Sequence, residues 1–156
     1  KRGGVSMGYR RVFIMRKDLG MSAGKLAAQV GHCAEVYWTK LIHENTNEIY
    51  SAEEEKLIGN YISCFTLNKE IYEQYINGSF VKTICEAKNK NHLLKAKTMA
   101  DELGLIENID YGLIYDNCLT ELEPEEENGT TLTGIWLKPL PDEIAHQISK
   151  KYQLYR

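Results

Sequence analysis

Met21-Ser22-Ala23-Gly24-Lys25-Leu26-Ala27-Ala28-Gln29-Val30-Gly31-His32-Cys33-Ala34 follows a short apolar run, Arg11-Val12-Phe13-Ile14-Met15-Arg16, and a loop, Lys17-Asp18-Leu19-Gly20. The apolar run reads as a strand. Beyond the loop, Leu26, Val30, Cys33, Ala34, Tyr37 and Leu41 recur at helical spacing, so the strand hands over to a helix that packs on a sheet. Lys25 falls near the first turn of that helix, where the free N–H groups disfavour a cation by up to about 1 kcal/mol. The same N–H groups attract anions, so a lysine there completes an anion-binding corner. Two readings stay open: a solvated first-turn lysine, or a phosphate or oxyanion site. A Walker A loop is excluded, because only Met21, Ser22 and Ala23 separate Gly20 from Gly24 and Leu26 follows Lys25.

Working outward, 156 residues suffice for one domain with its own core, and 43% hydrophobic residues are ordinary for a folded chain. The net charge of −3 argues against a general nucleic-acid coat and leaves room for a small basic face. Arg10, Arg11, Arg16 and Lys17 form one cluster along the chain, and Lys82, Lys88, Lys90, Lys95 and Lys97 another. Cys33, Cys64, Cys85 and Cys118 form no CxxC pair and have no histidine at ligand spacing, so no metal is expected. Cys33 and Cys85 lie on apolar faces and read as core. No signal peptide or membrane span is visible, and free thiols without one point to a reducing, cytoplasmic compartment. Residues 1–9 are expected to be an N-terminal arm or an expression remnant. Residues 10–156 are expected to form a single domain.

The rest of the chain alternates strands and helices. After a polar break at His43–Asn47, Ser51-x-x-Glu54 reads as a capping box, with Leu57, Ile58, Tyr61 and Ile62 as an apolar stripe. Asn68 caps a further helical piece that Gly78 ends. A helical insertion over about 45–77 is therefore expected; its tyrosines read as core ahead of a partner surface or an RNA-stacking platform. Phe80–Ala87 is the second strand, Asn91 caps a helix over His92–Leu103, and Ile109–Asp116 and Thr131–Leu137 are the third and fourth strands. Asp142 caps a last helix. Glu125-Glu126-Glu127 reads as a solvated loop tip. This order implies a three-layer α/β/α fold: a four-stranded mixed, mostly parallel sheet with helices on both faces, its last two strands antiparallel.

A second constellation follows the third strand. Asp116 ends it and Thr120 lies four residues on; ligands of open α/β sheets collect at strand ends, and a carboxylate there can activate a hydroxyl or a water. Asp-Asn pairs also start turns through side-chain bonds to the backbone, so this reading stays open beside the first.

Together the two segments carry a resemblance. Arg16-x-Asp18-Leu19, Met21 and Gly24-Lys25-x-Ala27-Ala28-Gln29-x-x-His32 are similar to the R-x-D-L-K-M-G-K-G-K-x-A-A-Q-x-x-H opening of class II peptidyl-tRNA hydrolases, the archaeal and eukaryotic type. Asp116, Thr120 and Thr131 match that family's D-A-G-R-T-Q and T-[VC]-L-G-I segments. The resemblance implies hydrolysis of the ester between peptide and tRNA, with Lys25, Asp116 and Thr120 catalytic. It implies that Thr131, His32, Gly24 and Gln29 bind substrate or support the site, with His32 two turns deeper than Lys25 and in a supporting place. It implies peptidyl-tRNA as partner, a homodimer as an open option, no membrane and no cofactor. The chain departs from the family form where Ser22 stands for a glycine, Ala23 for a lysine, Cys118 for a glycine, Leu119 for an arginine and Glu121 for a glutamine. The cleft thereby loses two cations and gains an anion, which weakens phosphate binding. A non-catalytic tRNA- or protein-binding member of the same fold is the alternative.

Overall fold

The computed structural model describes residues 8–156. Of the arm expected over 1–9, residues 1–7 lie outside the described residues, and Tyr9 already belongs to a strand. That strand, β1 (Tyr9–Arg16), is buried from Arg11 onward. Its side chains alternate between faces, as the two-residue period of a strand requires. Val12 and Ile14 enter one apolar cluster; Phe13 and Met15 enter another. The second cluster is closed by Leu26, Val30, Cys33, Ala34 and Tyr37 of α1 (Ala23–Glu44), so the helical stripe read from the sequence faces this side of the sheet. The first cluster is closed by Leu93, Ala96 and Ala100 of α2 (Lys90–Glu102) and by Ala145 and Ile148 of α3 (Asp142–Ser149). Helices thus cover both faces. The cap of α2 is Asn89, whose Oδ1 accepts from the His92 amide at 2.8 Å, in place of the expected Asn91.

Among the described residues the main sheet has six strands rather than four. β4 (Val81–Ala87), β5 (Tyr111–Asp116) and β6 (Thr131–Leu137) are the expected ones, and the short β7 (Leu140–Pro141) and β8 (Gln153–Leu154) pair with β1 and β4. The order is β5-β6-β1-β4-β8, with β7 beside β1. It is a mixed sheet, as expected. Among the described residues only β1–β4 pairs parallel, because β6 inserts between β5 and β1 and runs against both. β1, β4 and β5 nevertheless point the same way, so their C-terminal ends share one edge.

β6 reaches the centre by close approach. A Cβ on Gly112 would stand 2.6–2.9 Å from three indole atoms of Trp136. The indole is buried and rigid, so Gly112→Ala is expected to cost about 1–3 kcal/mol through overpacking. The thermal midpoint should fall by several degrees; an unchanged midpoint would show that the ring can move aside.

The segment expected to be a helical insertion is mostly something else. Thr46–Ser51 (β2) and Lys56–Ser63 (β3) form an antiparallel hairpin, separate from the main sheet. The Glu54 amide does donate to the Ser51 hydroxyl, at 3.2 Å, but this bond closes the hairpin turn instead of starting a helix. Leu57, Ile58, Tyr61 and Ile62 are β-favouring residues and are exposed in a strand. The helical piece capped by Asn68 is present as a wide, π-type turn of helix, Ile71–Ser79. Of the tyrosines here, Tyr75 is buried, whereas Tyr50, Tyr61 and Tyr72 are exposed.

Candidate active site

The shared C-terminal edge of β1, β4 and β5 is also where α1 begins. Asp116, at the end of β5, and Lys25, in the first turn of α1, meet there with Nζ to Oδ1 at 2.7 Å, both side chains largely shielded from solvent. Lys25 Nζ also lies 3.1 Å from Thr120 Oγ1. Gln29, one turn deeper on the same helix face and buried, donates from Nε2 to Asp116 Oδ1 at 3.2 Å. The other carboxylate oxygen, Oδ2, accepts from the Cys118 amide at 2.9 Å. Oδ2 therefore closes the turn, as an Asp-Asn turn start requires, while Oδ1 faces the cation. Burial raises the Asp116 carboxyl, but the Lys25 ammonium, the Cys118 N–H and the Gln29 amide outweigh it and hold it below its ordinary value.

Behind Gln29 stands Thr133. Pairing of β5 with β6 skips from Ile114–Gly134 to Tyr115–Leu132, so Thr133 is the extra residue of a bulge. Its hydroxyl donates to Gln29 Oε1 at 2.7 Å. The ionised Asp116 can only accept, so Nε2 is the end of the amide that faces it, and Oε1 is left for the Thr133 hydroxyl, which also lies 3.2 Å from the Ile114 carbonyl. A bulge beside a site commonly re-aims a side chain in this way.

The anion-binding corner is filled from within the chain. Ser22 caps α1, its Oγ accepting from the Lys25 amide at 3.2 Å. Glu121 receives the Ser22 hydroxyl at 2.6 Å and the Ser22 amide at 2.9 Å. Those two bonds hold the Glu121 carboxyl below its ordinary value. So the extra carboxylate and the extra hydroxyl form one contact. The next two amides of the first turn, Ala23 and Gly24, remain without a partner among the described residues.

The loop between β5 and β6 is pinned at several points. Cys118 takes φ +57°, so the turn keeps the left-handed form that a glycine favours, at a cost of about 1–2 kcal/mol for an L-residue. Thr131 is buried and donates to the Glu123 carbonyl at 2.6 Å while accepting from the Glu125 amide at 3.0 Å. The triple-glutamate run is less free than expected. Glu125 pairs with Arg16 at 2.6 Å and Glu126 pairs with Lys90. Cys118→Gly is expected to raise stability by about 1 kcal/mol by relieving the backbone. The denaturation midpoint checks this; a fall would mean that the thiol's packing outweighs the strain.

The structure thus brings Lys25, Gln29, Asp116 and Thr120 together and sets Thr131 beneath the loop that carries Thr120. It does not bring in His32, which is exposed and has no side-chain bond to any of them among the described residues. On a helix, three residues from Gln29 is already far enough round for the ring to leave the sheet face. Gly24 is exposed and a Cβ there would meet nothing within 4 Å, so its packing does not demand glycine. Thr133 and the Ser22–Glu121 pair are the members that sequence reasoning missed. Among the described residues no group of three His, Cys, Asp or Glu side chains is placed to hold a metal, and no helix is long and apolar enough to cross a membrane.

Residues 9–155 match the family described as peptidyl-tRNA hydrolase PTH2. Among similar curated proteins, a peptidyl-tRNA hydrolase of Thermococcus sibiricus is 30% identical over 146 residues, covering 94% of this chain and 97% of that protein. One from Sulfolobus acidocaldarius is 30% identical over 141 residues, covering 90% and 95%. One from Thermoplasma acidophilum is 26% identical over 145 residues, covering 93% and 97%.

Proposed function

The chain belongs to the peptidyl-tRNA hydrolase PTH2 family, and from that premise we propose how its side chains open the ester between peptide and tRNA. The reaction is hydrolysis of the bond joining a peptide's C-terminal carbonyl to the terminal ribose. The observation that carries the proposal is the shared use of Lys25, which touches both Asp116 Oδ1 and Thr120 Oγ1. Asp116 is ionised at neutral pH and, with a lowered pKa, is a weak base. Its work is to orient a water and accept its proton only as the new C–O bond forms. Thr120's oxygen accepts from Lys25, which leaves its own hydrogen free for the same water. Charge developing on the carbonyl oxygen faces the Lys25 ammonium and the open amides of Ala23 and Gly24. The carbonyl–ribose bond then breaks, the ribose oxygen takes up the proton that Asp116 accepted from the water, and the peptide leaves as its carboxylic acid, which ionises in solvent. Gln29, held by Thr133, keeps Asp116 in place.

The test is release of an N-acetylated amino acid from its tRNA by the purified chain. Turnover is expected. A folded protein that releases nothing, in an assay where an active hydrolase succeeds, overturns the reading and favours tRNA binding without catalysis. An acyl group trapped on Thr120, seen by mass spectrometry, would make that hydroxyl the attacking group instead of water. The same proposal takes residues 10–156 as one hydrolase domain carrying the hairpin segment as an addition. It sets the reaction in the cytoplasm, where translation supplies the substrate. It includes a homodimer, which light scattering of the purified chain tests.

A further inference from the structure

The basic clusters legible along the chain are divided in three dimensions, some members paired or buried and others regrouped. Arg10 pairs with Asp142, Arg11 is buried, Arg16 pairs with Asp18 and Glu125, and Lys97 pairs with Asp101 and Glu107. The fold assembles a different one. Lys17, Lys88, Lys150 and Lys151, with His92 and Tyr152, line a cleft of about 480 Å³ beside the ends of β4 and β8. A neighbouring cleft of about 440 Å³ shares His92, Lys151 and Tyr152 and adds Lys95 and Glu102, so the concave surface continues along α2 with no further surplus of charge.

Two carboxylates also face the first cleft, Asp18 and Glu86. Asp18 is already neutralised by a two-point contact with Arg16, at 2.7 and 3.1 Å. Lys17 Nζ is held by the Arg156 main-chain oxygen and lies over the Tyr155 ring, whereas Lys88, Lys150 and Lys151 are exposed and in no ion pair among the described residues. His92 accepts the Lys88 amide on Nδ1 at 2.9 Å, so the neutral ring carries its proton on Nε2 and adds a donor. The groove is therefore a concave surface with a surplus of cations. It sits on an acidic chain in which Glu121 stands against Ser22 at the start of α1.

Its position fits a strand of nucleic acid ending at Asp116. β5 and β4 are three places apart in the sheet, which at about 4.8 Å per place sets the groove about 15 Å from the carboxylate. Stacked nucleotides rise about 3.4 Å each, so the groove meets the backbone about four nucleotides before the ester. We infer that the Lys17–Lys88–Lys150–Lys151 groove holds phosphodiester groups of the tRNA 3′ arm while the ester lies at Lys25 and Asp116. The inference rests on the hydrolase reading above. It supplies the phosphate-binding cations that the catalytic corner lacks.

The test is binding of uncharged tRNA, by fluorescence anisotropy, across about 50–200 mM salt. The variant Lys88→Gln/Lys150→Gln/Lys151→Gln replaces exposed side chains only. It is expected to weaken binding at low salt at least tenfold and to flatten the log–log salt slope by about 2, each lost phosphate contact being worth about 0.7–0.9. Lys56→Gln/Lys69→Gln, which removes charges of the hairpin side, should leave the slope unchanged. An unaltered slope in the groove variant, an equal change in the control, or a parent whose tRNA binding ignores salt would each overturn the inference. The readout does not use turnover. A chain that binds tRNA through the groove yet releases no acyl group would count against the hydrolase reading and not against this one.

Discussion

Asp116→Asn is expected to lower kcat for release of the acyl group by about 100- to 10,000-fold, the range for loss of a positioned acid–base group. Asparagine keeps the shape and can still accept the Cys118 amide, so the turn should survive while the negative charge is lost. Lys25→Ala should cost at least about 100-fold, because it removes a donor aimed at the developing oxyanion and also the partner of Asp116. Since the two groups share one contact, their effects should not add. The double variant should fall little below the worse single one. The pH dependence gives an independent check. Asp116's folded pKa is lowered, so its ion pair contributes stability that is fully present above the ordinary carboxylate value of about 3.9 and is lost as pH falls through the folded value. In the parent, the acid limb of kcat/KM due to Asp116 should therefore lie below about pH 4, and in Lys25→Ala it should move upward. Full turnover in either variant, with folding shown by circular dichroism, would remove that residue from the mechanism.

Much of this arrangement is legible along the chain because it is local or spaced by a simple period. β1 and α1 follow from alternation and from the i, i+4 stripe of Leu26, Val30 and Ala34. Lys25, Gln29, Asp116 and Thr120 follow from the resemblance, and the structure puts them in contact. The hairpin was not legible. Ser51-x-x-Glu54 followed by Leu57, Ile58, Tyr61 and Ile62 satisfies a helical pattern as well as a strand. Because β3 is exposed along its whole length, no buried face favours one period over the other. Thr133 was hidden for a different reason. Its direction is set by a bulge, which depends on how two strands register and not on either strand alone. The Ser22–Glu121 contact spans 99 positions and replaces two residue types at once, so each departure read singly looked like a loss. The same non-locality governs the lysine groove, which draws on three separate stretches of chain.

Arg11→Ala should produce the largest loss of stability, about 3–5 kcal/mol, the range for stripping a buried, compensated charge of its contacts. Arg11 lies in the apparent basic run Arg10–Lys17, yet alternation along β1 turns it under α1, where it is fully buried. Its guanidinium donates to three carbonyls: Leu137 at 3.0 Å, Ala34 at 2.8 Å and Cys33 at 3.1 Å. It also lies 4.7 Å from the centre of the Phe13 ring. Burial pushes the group down to about 10, so it is still cationic at neutral pH. The three carbonyls belong to β6 and to the middle of α1, which makes Arg11 a clamp between the sheet and the helix that carries Lys25 and Gln29. Alanine would leave a cavity and remove every one of these bonds. Methionine fills most of the volume without the charge, and replacing buried ions by apolar groups of similar size is often close to neutral. Urea denaturation should therefore rank the chains parent, then Arg11→Met, then Arg11→Ala, with the alanine variant separated by a clear drop in midpoint. Equal losses for the two variants would mean that the hydrogen bonds, rather than the packing, hold α1 to the sheet. A loss below about 1 kcal/mol for alanine would mean that water reaches this position and that the helix is anchored elsewhere.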